Sequence, residues 1–261
     1  MQIKLLVAAH KPFWMPEDGV YLPVHVGAAG KAAIDPRWAR DDAGENISDK
    51  NATYCELTGL YWAWKNLDAD VYGLLHYRRY LGRGAFWKKK TDRLLKRRDI
   101  EKLLSKHDLI LPKKRRYWIE TRESQYNHAH HAADLRCVEA VLAEKCPEYL
   151  PAWRWMLGTR SGHICNMFVM PRAAFDAYCA WLFGILFEVE RRLDISDYSA
   201  NDRRVFGFLS ERLLDVWVKK NGLRYAEAQV INLESQRWLK KGAAFLKRKL
   251  KGQRREKSET F

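Results

Sequence analysis

The chain has 261 residues, a hydrophobic fraction of 47% and a formal net charge of +15. This suits one sizeable folded core and excludes a fibrous or fully disordered chain, and no Pro-, Gly- or Ser-rich linker divides it. The charge raises nucleic acid as a partner, but it is unevenly spread: from Arg237 to Lys257 ten Lys or Arg face Glu256 alone, so this stretch holds nine of the fifteen net charges. Cys55, Cys137, Cys146, Cys165 and Cys179 are odd in number and lack the Cys-x-x-Cys spacing of a zinc site or redox pair. A reduced cytoplasmic location fits them.

In chain order, Ile3 to Ala9 is a continuous apolar run, too short to span a membrane and followed by no small-residue cleavage site, so a first strand is expected there. His10, Lys11 and Pro12 end it. Tyr21 to Val26 suits a second strand, and Gly27 and Gly30 form a turn that lets backbone approach a ligand. From Asn46 the chain leads into Tyr54, Leu57, Thr58, Tyr61 and Trp64 at spacings of three and four, which predicts one amphipathic helix with Ser48 as N-cap. Asp49 and Asn51 at its start are candidate ligands, whereas its aromatic residues belong to the core.

Val71 to Leu75 is short and apolar, as befits a buried strand, and it ends in His76, Arg78 and Arg79. Beyond the carboxyl end of a strand in an open α/β sheet, such a cluster faces a cleft and favours an anion, of which a diphosphate is the obvious candidate. A solvated strand end is the alternative. Gly82 to Arg98 reads as a basic loop, solvated or in contact with phosphate or membrane. Asp99 to Lys106 reads as a helix, and Asp108 to Leu111 as a strand closed by Pro112.

Tyr126 to Asp134 is the richest polar segment. On one helix His130 and Asp134 would share a face and orient each other or bind a metal. Sparse carboxylates weigh against metal, and Tyr126, His128, His130 and His131 are assigned instead to the wall receiving an acceptor, with helix-capping histidines as the alternative. Helices follow around Pro147 and Pro151. Ser161 to Met170 then forms a polar lead into an apolar strand, making His163 and Asn166 candidates for the cleft or for satisfying buried backbone. Arg172 to Leu193 and Asn201 to Lys219 read as helices. In the second, Glu211 sits among Phe206, Phe208, Leu209, Leu213 and Leu214, where it is a paired structural acid or a perturbed catalytic one. Tyr225 to Asn232 suits an edge strand. The stretch after it, with Trp238, Leu239, Phe245, Leu246 and Leu250 among lysines, suits an amphipathic helix on an anionic membrane or a disordered tail.

The stretches Asn46 to Asn51, Tyr54 to Thr58, Leu60 to Lys65 and His76 to Tyr80 resemble a bacterial domain-of-unknown-function family. Its members are encoded in capsule, exopolysaccharide and lipopolysaccharide gene clusters and regarded as glycosyltransferases, some associated with galactofuranose transfer. The resemblance runs from about Met1 to Asn221. It implies an α/β, GT-A-like domain over 1–235, with a central mixed sheet flanked by helices, followed by a basic tail over 236–261. It also implies transfer of a hexosyl group from a uridine diphosphate sugar to a lipid-linked surface glycan. The placing would be cytoplasmic, on the inner face of the membrane.

His76 to Arg79 stands where GT-A enzymes carry their metal-binding Asp-x-Asp, so no divalent metal is expected. His10, Lys11, Gly27, Asp49, Asn51, His76, Arg78 and Arg79 are then donor contacts. Glu211, Asp197 and Asp134 are the ordered candidates for the catalytic carboxylate. Two other classes stay open: a basic membrane or nucleic-acid binding module, and a histidine-metal hydrolase.

Overall fold

The computed structural model describes residues 1–234, so the expected tail lies outside the described residues. The strands are β1 (Ile3–Ala9), β2 (Tyr21–His25), β3 (Ala39–Arg40), β4 (Val71–His76), β5 (Arg79–Gly82), β6 (Leu109–Pro112), β7 (Arg115–Arg116), β8 (Ser161–Gly162), β9 (Phe168–Pro171) and β10 (Tyr225–Asn232). The helices are α1 (Asn51–Tyr54), α2 (Leu57–Asn66), α3 (Arg97–Leu104), α4 (Arg122–Ala129), α5 (Ala132–Lys145), α6 (Leu150–Gly158), α7 (Arg172–Arg192) and α8 (Val205–Lys220).

β3, β2, β1 and β4 run parallel, with Ala8 of β1 opposite Val24 on one side and His76 on the other. Their carboxyl ends therefore share one edge. The far side of β4 takes β9 antiparallel, with Leu74 opposite Phe168, and the path continues through β6 and β10 to β5. β5 returns to β4 at His76 and Arg79, which closes five strands into a barrel-like ring of mixed direction. β10 is consequently an interior strand paired on both sides, not the expected edge. Its polar Glu227 and Gln229 suggest an edge, but β5 folds back to cover it.

Alternation along β1 divides the core as a period of two requires. Leu6 and Ala8 face a large cluster with Tyr72, Trp153, Phe175, Phe183 and Leu213, whereas Leu5, Val7 and Ala9 face a smaller one with Tyr80, Leu95 and Ile100. Where β1, β4 and β9 crowd together, the strand residue is Gly73. A Cβ there would lie 2.6 Å from Leu5 Cδ2 and 3.0 Å from the Phe168 carbonyl oxygen.

Two expected helices are broken. The one predicted from Asn46 stops at Cys55, whose φ is 55°, and restarts as α2. The Asn51 amide donates to the Cys55 carbonyl at 2.7 Å and to Thr58 Oγ1 at 3.1 Å, so side-chain bonds replace the missing helical ones. Ser48 does not cap this helix; its hydroxyl donates to Asp41 Oδ1 at 2.5 Å and accepts from the Ala29 amide at 3.0 Å. Likewise α4 ends at Ala129 and His130 is extended, so His130 and Asp134 do not share one helix. Pro147 and Pro151 each sit in the first turn of a helical segment, where the missing N–H costs nothing.

Candidate active site

Residues 163–166 lead from β8 to β9 across the face of α8, and polar side chains clamp them there. Asp215 accepts from the His163 amide at 3.1 Å and also binds the His163 ring and the Arg122 guanidinium. One turn earlier, Glu211 Oε1 accepts from the Cys165 amide at 2.9 Å. The Asn166 side chain donates to the Gly207 carbonyl at 3.1 Å and accepts from Ser210 Oγ at 2.6 Å. Cys165 and Asn166 both have positive φ, 70° and 51°. With Cys55 they are the non-glycine residues of positive φ among the described residues, and Cys55 lies beside Gly207, whose carbonyl Asn166 holds. Left-handed backbone at non-glycine residues costs on the order of 1–3 kcal/mol each and gathers at functional sites.

The broken helix delivers Glu56 to the same place. Its Oε1 accepts from Asn166 Nδ2 at 2.8 Å and lies 3.7 Å from His76 Nε2, while that nitrogen donates to the Cys165 carbonyl at 2.6 Å. Glu56, His76 and Glu211 thus surround one strained loop. Burial pushes the Glu211 carboxyl above its usual range and the charge of Glu56 adds to the shift, against Arg212, the Cys165 amide and His76. The Glu211 side chain retains 24% exposure, so it can still be reached. Carboxyl groups perturbed in this way suit proton transfer.

Beside the carboxylates lies a rim of cations at the carboxyl edge of β1 and β4. Tyr77 is its hub: His10 meets the ring edge to face at 5.3 Å, and Lys11 and Arg78 stand over it at 6.0 and 4.9 Å. Partial burial holds the His10 imidazole below its ordinary value, and the charges of Lys11, Arg78, Arg204 and Lys31 all act in that direction. Arg204 Nε donates to Cys55 Sγ at 3.1 Å, and Arg79 reaches Cys165 Sγ at 3.7 Å. The cations therefore flank the strained residues. No carboxylate pairs with Lys11, Lys31, Arg79 or Arg204 among the described residues.

The sequence model of the family described as a domain of unknown function, DUF4422, matches residues 4–222. The chain belongs to the DUF4422 family. Among solved structures it is similar to the WbbM bifunctional glycosyltransferase in its apo form, with 30% identity and a TM-score of 0.83. The match covers 90% of this chain and 46% of that one, so the chain spans about half the length of that protein. Among curated proteins no sequence matches.

Several residues singled out from the sequence stand elsewhere in the DUF4422 domain. Both oxygens of buried Asp134 are taken, accepting from Tyr126 Oη at 2.7 Å and Tyr198 Oη at 2.5 Å, with burial raising its pKa. That geometry ties α4, α5 and the loop after α7 together. Asp197 is exposed in that loop, and Asp49 is exposed in a 3-10 turn. Asn51 packs against Gly27, whose φ is 63°, and holds the Cys55 bend, so it shapes the site without being aimed into it.

His130 stacks on Phe208 at 4.2 Å and His131 on Tyr198 at 4.0 Å, and both approach Asp202, at 3.8 and 3.7 Å. His128 is exposed and lies 3.2 Å from Glu120. Among the described residues no group of three or more His, Cys, Asp or Glu is arranged to hold a metal.

Sequence reasoning missed Glu56, Asp41, Lys31 and Arg204 as site residues. Asp41, fully buried, accepts from the Gly27 and Ala28 amides at 2.8 and 2.9 Å and from Thr58 Oγ1 at 2.5 Å, which fixes the glycine turn beside the rim. None of them carried a local signal: Glu56 falls off the Tyr54, Leu57, Tyr61 stripe, where a polar residue is ordinary.

Proposed function

We propose that this chain is a glycosyltransferase of GT-A type, moving a hexosyl group from a uridine diphosphate sugar to a surface-glycan acceptor. The observation that carries the reading is the meeting of Glu211, Glu56 and His76 with three strained residues, directly beside the cationic rim. Such transfer has two electrostatic needs. Negative charge grows on the departing diphosphate, and the acceptor hydroxyl must lose a proton. Lys11, Lys31, Arg78 and Arg204 meet the first need, with His10 beside them as a hydrogen-bonding group and Arg79 nearby at Cys165. Glu211 meets the second, its basicity raised by burial and by Glu56.

The cations stand where the resemblance would put Asp-x-Asp, so the donor is held by guanidinium and ammonium groups in place of a divalent ion. The 30% identity to a bifunctional glycosyltransferase supports the transferase reading as such.

A melting-temperature screen of the protein with nucleoside diphosphate sugars, run in a chelator, tests the proposal. A specific donor stabilises the native state by mass action, by about 2.7 kcal/mol at a hundredfold excess over Kd. Uridine diphosphate hexoses should shift the transition, and free hexoses should not. Binding that vanishes in chelator and returns with manganese would overturn the cation-for-metal assignment.

A further inference from the structure

Between β5 and α3 the chain makes a projecting turn whose composition is unlike that of a solvated loop. The Lys88 amide donates to the Ala85 carbonyl at 3.2 Å, so Phe86 and Trp87 occupy its two central positions. Gly, Pro, Asn and Asp normally dominate such positions. Here they hold two large aromatics, 82% and 75% exposed, packed edge to face at 5.1 Å. Lys88, Lys89 and Lys90 follow, all exposed. From Arg83 to Arg98 eight Lys or Arg face the single acid Asp92, a surplus of seven charges.

The place where the described chain ends adds a second observation. Lys90 Nζ donates to the carbonyls of Leu233 and Glu234 at 3.2 and 3.4 Å. The same two residues touch the cationic rim, since the Leu233 amide donates to the Arg78 carbonyl at 3.0 Å and Glu234 lies 3.1 Å from Arg78 Nε. The described chain therefore ends between the aromatic turn and the candidate active site.

We propose that this turn is a docking prong for an anionic lipid bilayer, with Phe86 and Trp87 entering the interfacial layer and Lys88 and Lys89 meeting headgroup phosphates. Aromatic side chains settle at the headgroup level, and neighbouring lysines are drawn to the negative surface. Single-stranded nucleic acid calls for aromatic faces spread along a groove, and this pair sits on one projecting tip. The prong brings the rim and Glu211 up to the membrane face, where a lipid-linked acceptor is displayed. Docking itself does not depend on the transferase reading, so either can fail alone.

The test uses the full chain with vesicles of phosphatidylcholine alone or mixed with phosphatidylglycerol, read by flotation. Wild type should float with anionic vesicles only. Phe86→Ser/Trp87→Ser and Lys88→Gln/Lys89→Gln should each bind on the order of tenfold more weakly at an unchanged melting temperature, because these residues are exposed. Acyl-brominated lipid should quench wild-type tryptophan emission more than that of Trp87→Phe. Equal flotation of wild type and both variants overturns the proposal. So does protection of Trp87 from aqueous quencher without lipid, which would mean that the chain's own basic stretch covers it. Binding to a single-stranded oligonucleotide that competes with vesicles and is lost in the aromatic variant would assign the prong to nucleic acid.

Discussion

At the scale of single residues, Glu211 is the group whose environment and position agree. Glu211→Gln should lower kcat by about 10²–10⁴-fold, the usual worth of a general base. Its folded pKa is raised, so its ionised form weakens the fold as pH rises through that value, and the amide should melt no lower than wild type near neutrality. In a pH–rate profile the acid limb should sit above the ordinary carboxylate value of 4.5, and Glu56→Gln should move it down by removing a like charge. An unmoved limb in that variant would separate Glu56 from the base. For the rim, Arg78→Ala and Arg204→Ala should each cost about 2–4 kcal/mol in transition-state stabilisation. Lysine would restore little, because a point charge cannot reproduce the planar fork. Arg204 also holds Cys55, so a loss of melting temperature in that variant would point to the bend rather than to the donor.

At the scale of elements, α8 and the 163–166 loop act as a unit through Asp215. This buried carboxyl is raised by its burial, but the His163 ring and the Arg122 charge outweigh that and hold it below its ordinary 3.8. The group therefore contributes stability that is fully present above 3.8 and is lost as pH falls through the lower folded value. Asp215→Asn leaves Arg122 buried without its counter-charge, at a cost of about 3–5 kcal/mol. Denaturation curves should show that gap above pH 4 and its narrowing in more acid solution. A gap independent of pH would mean that the carboxylate charge is not what clamps the loop.

The broken helix allows a backbone test. Cys55→Gly should be neutral or stabilising by up to ~1 kcal/mol, since glycine adopts positive φ without strain, whereas Cys55→Val should destabilise. Two equal melting temperatures would remove strain from the account of this bend.

At the scale of the whole molecule, the ring of five strands decides where the site lies, because it brings β9 and its leading loop against β4 and α8. Gly73 is the position where that closure is tightest. Gly73→Ala should lower stability by about 1–3 kcal/mol through overpacking against Leu5 and the Phe168 backbone. Chemical denaturation measures this directly, and an unchanged midpoint would show that the strands can part at no cost. No helix of the described residues is long and apolar enough to cross a membrane.

What the sequence determined by itself was local. β1, β4, α7 and most of α8 follow from runs and periods of apolar residues, and His76 to Arg79 stood out because cations ended such a run. Their partners were not legible. Glu56 lies off the apolar stripe of the helix expected there, and it reaches the site because Asn51 captures the Cys55 carbonyl where the chain bends. Arg204, Lys31 and Asp41 joined the site from segments far apart in sequence. β10 read as an edge because pairing with β5 depends on a return that no local pattern encodes. His130 and Asp134 were spaced for one helix, yet an extended residue parted them and tyrosine hydroxyls claimed the aspartate. Local periodicity reports which face a residue turns inward. Only the closed fold decides which charges meet there, because that depends on contacts between segments separated by scores of residues.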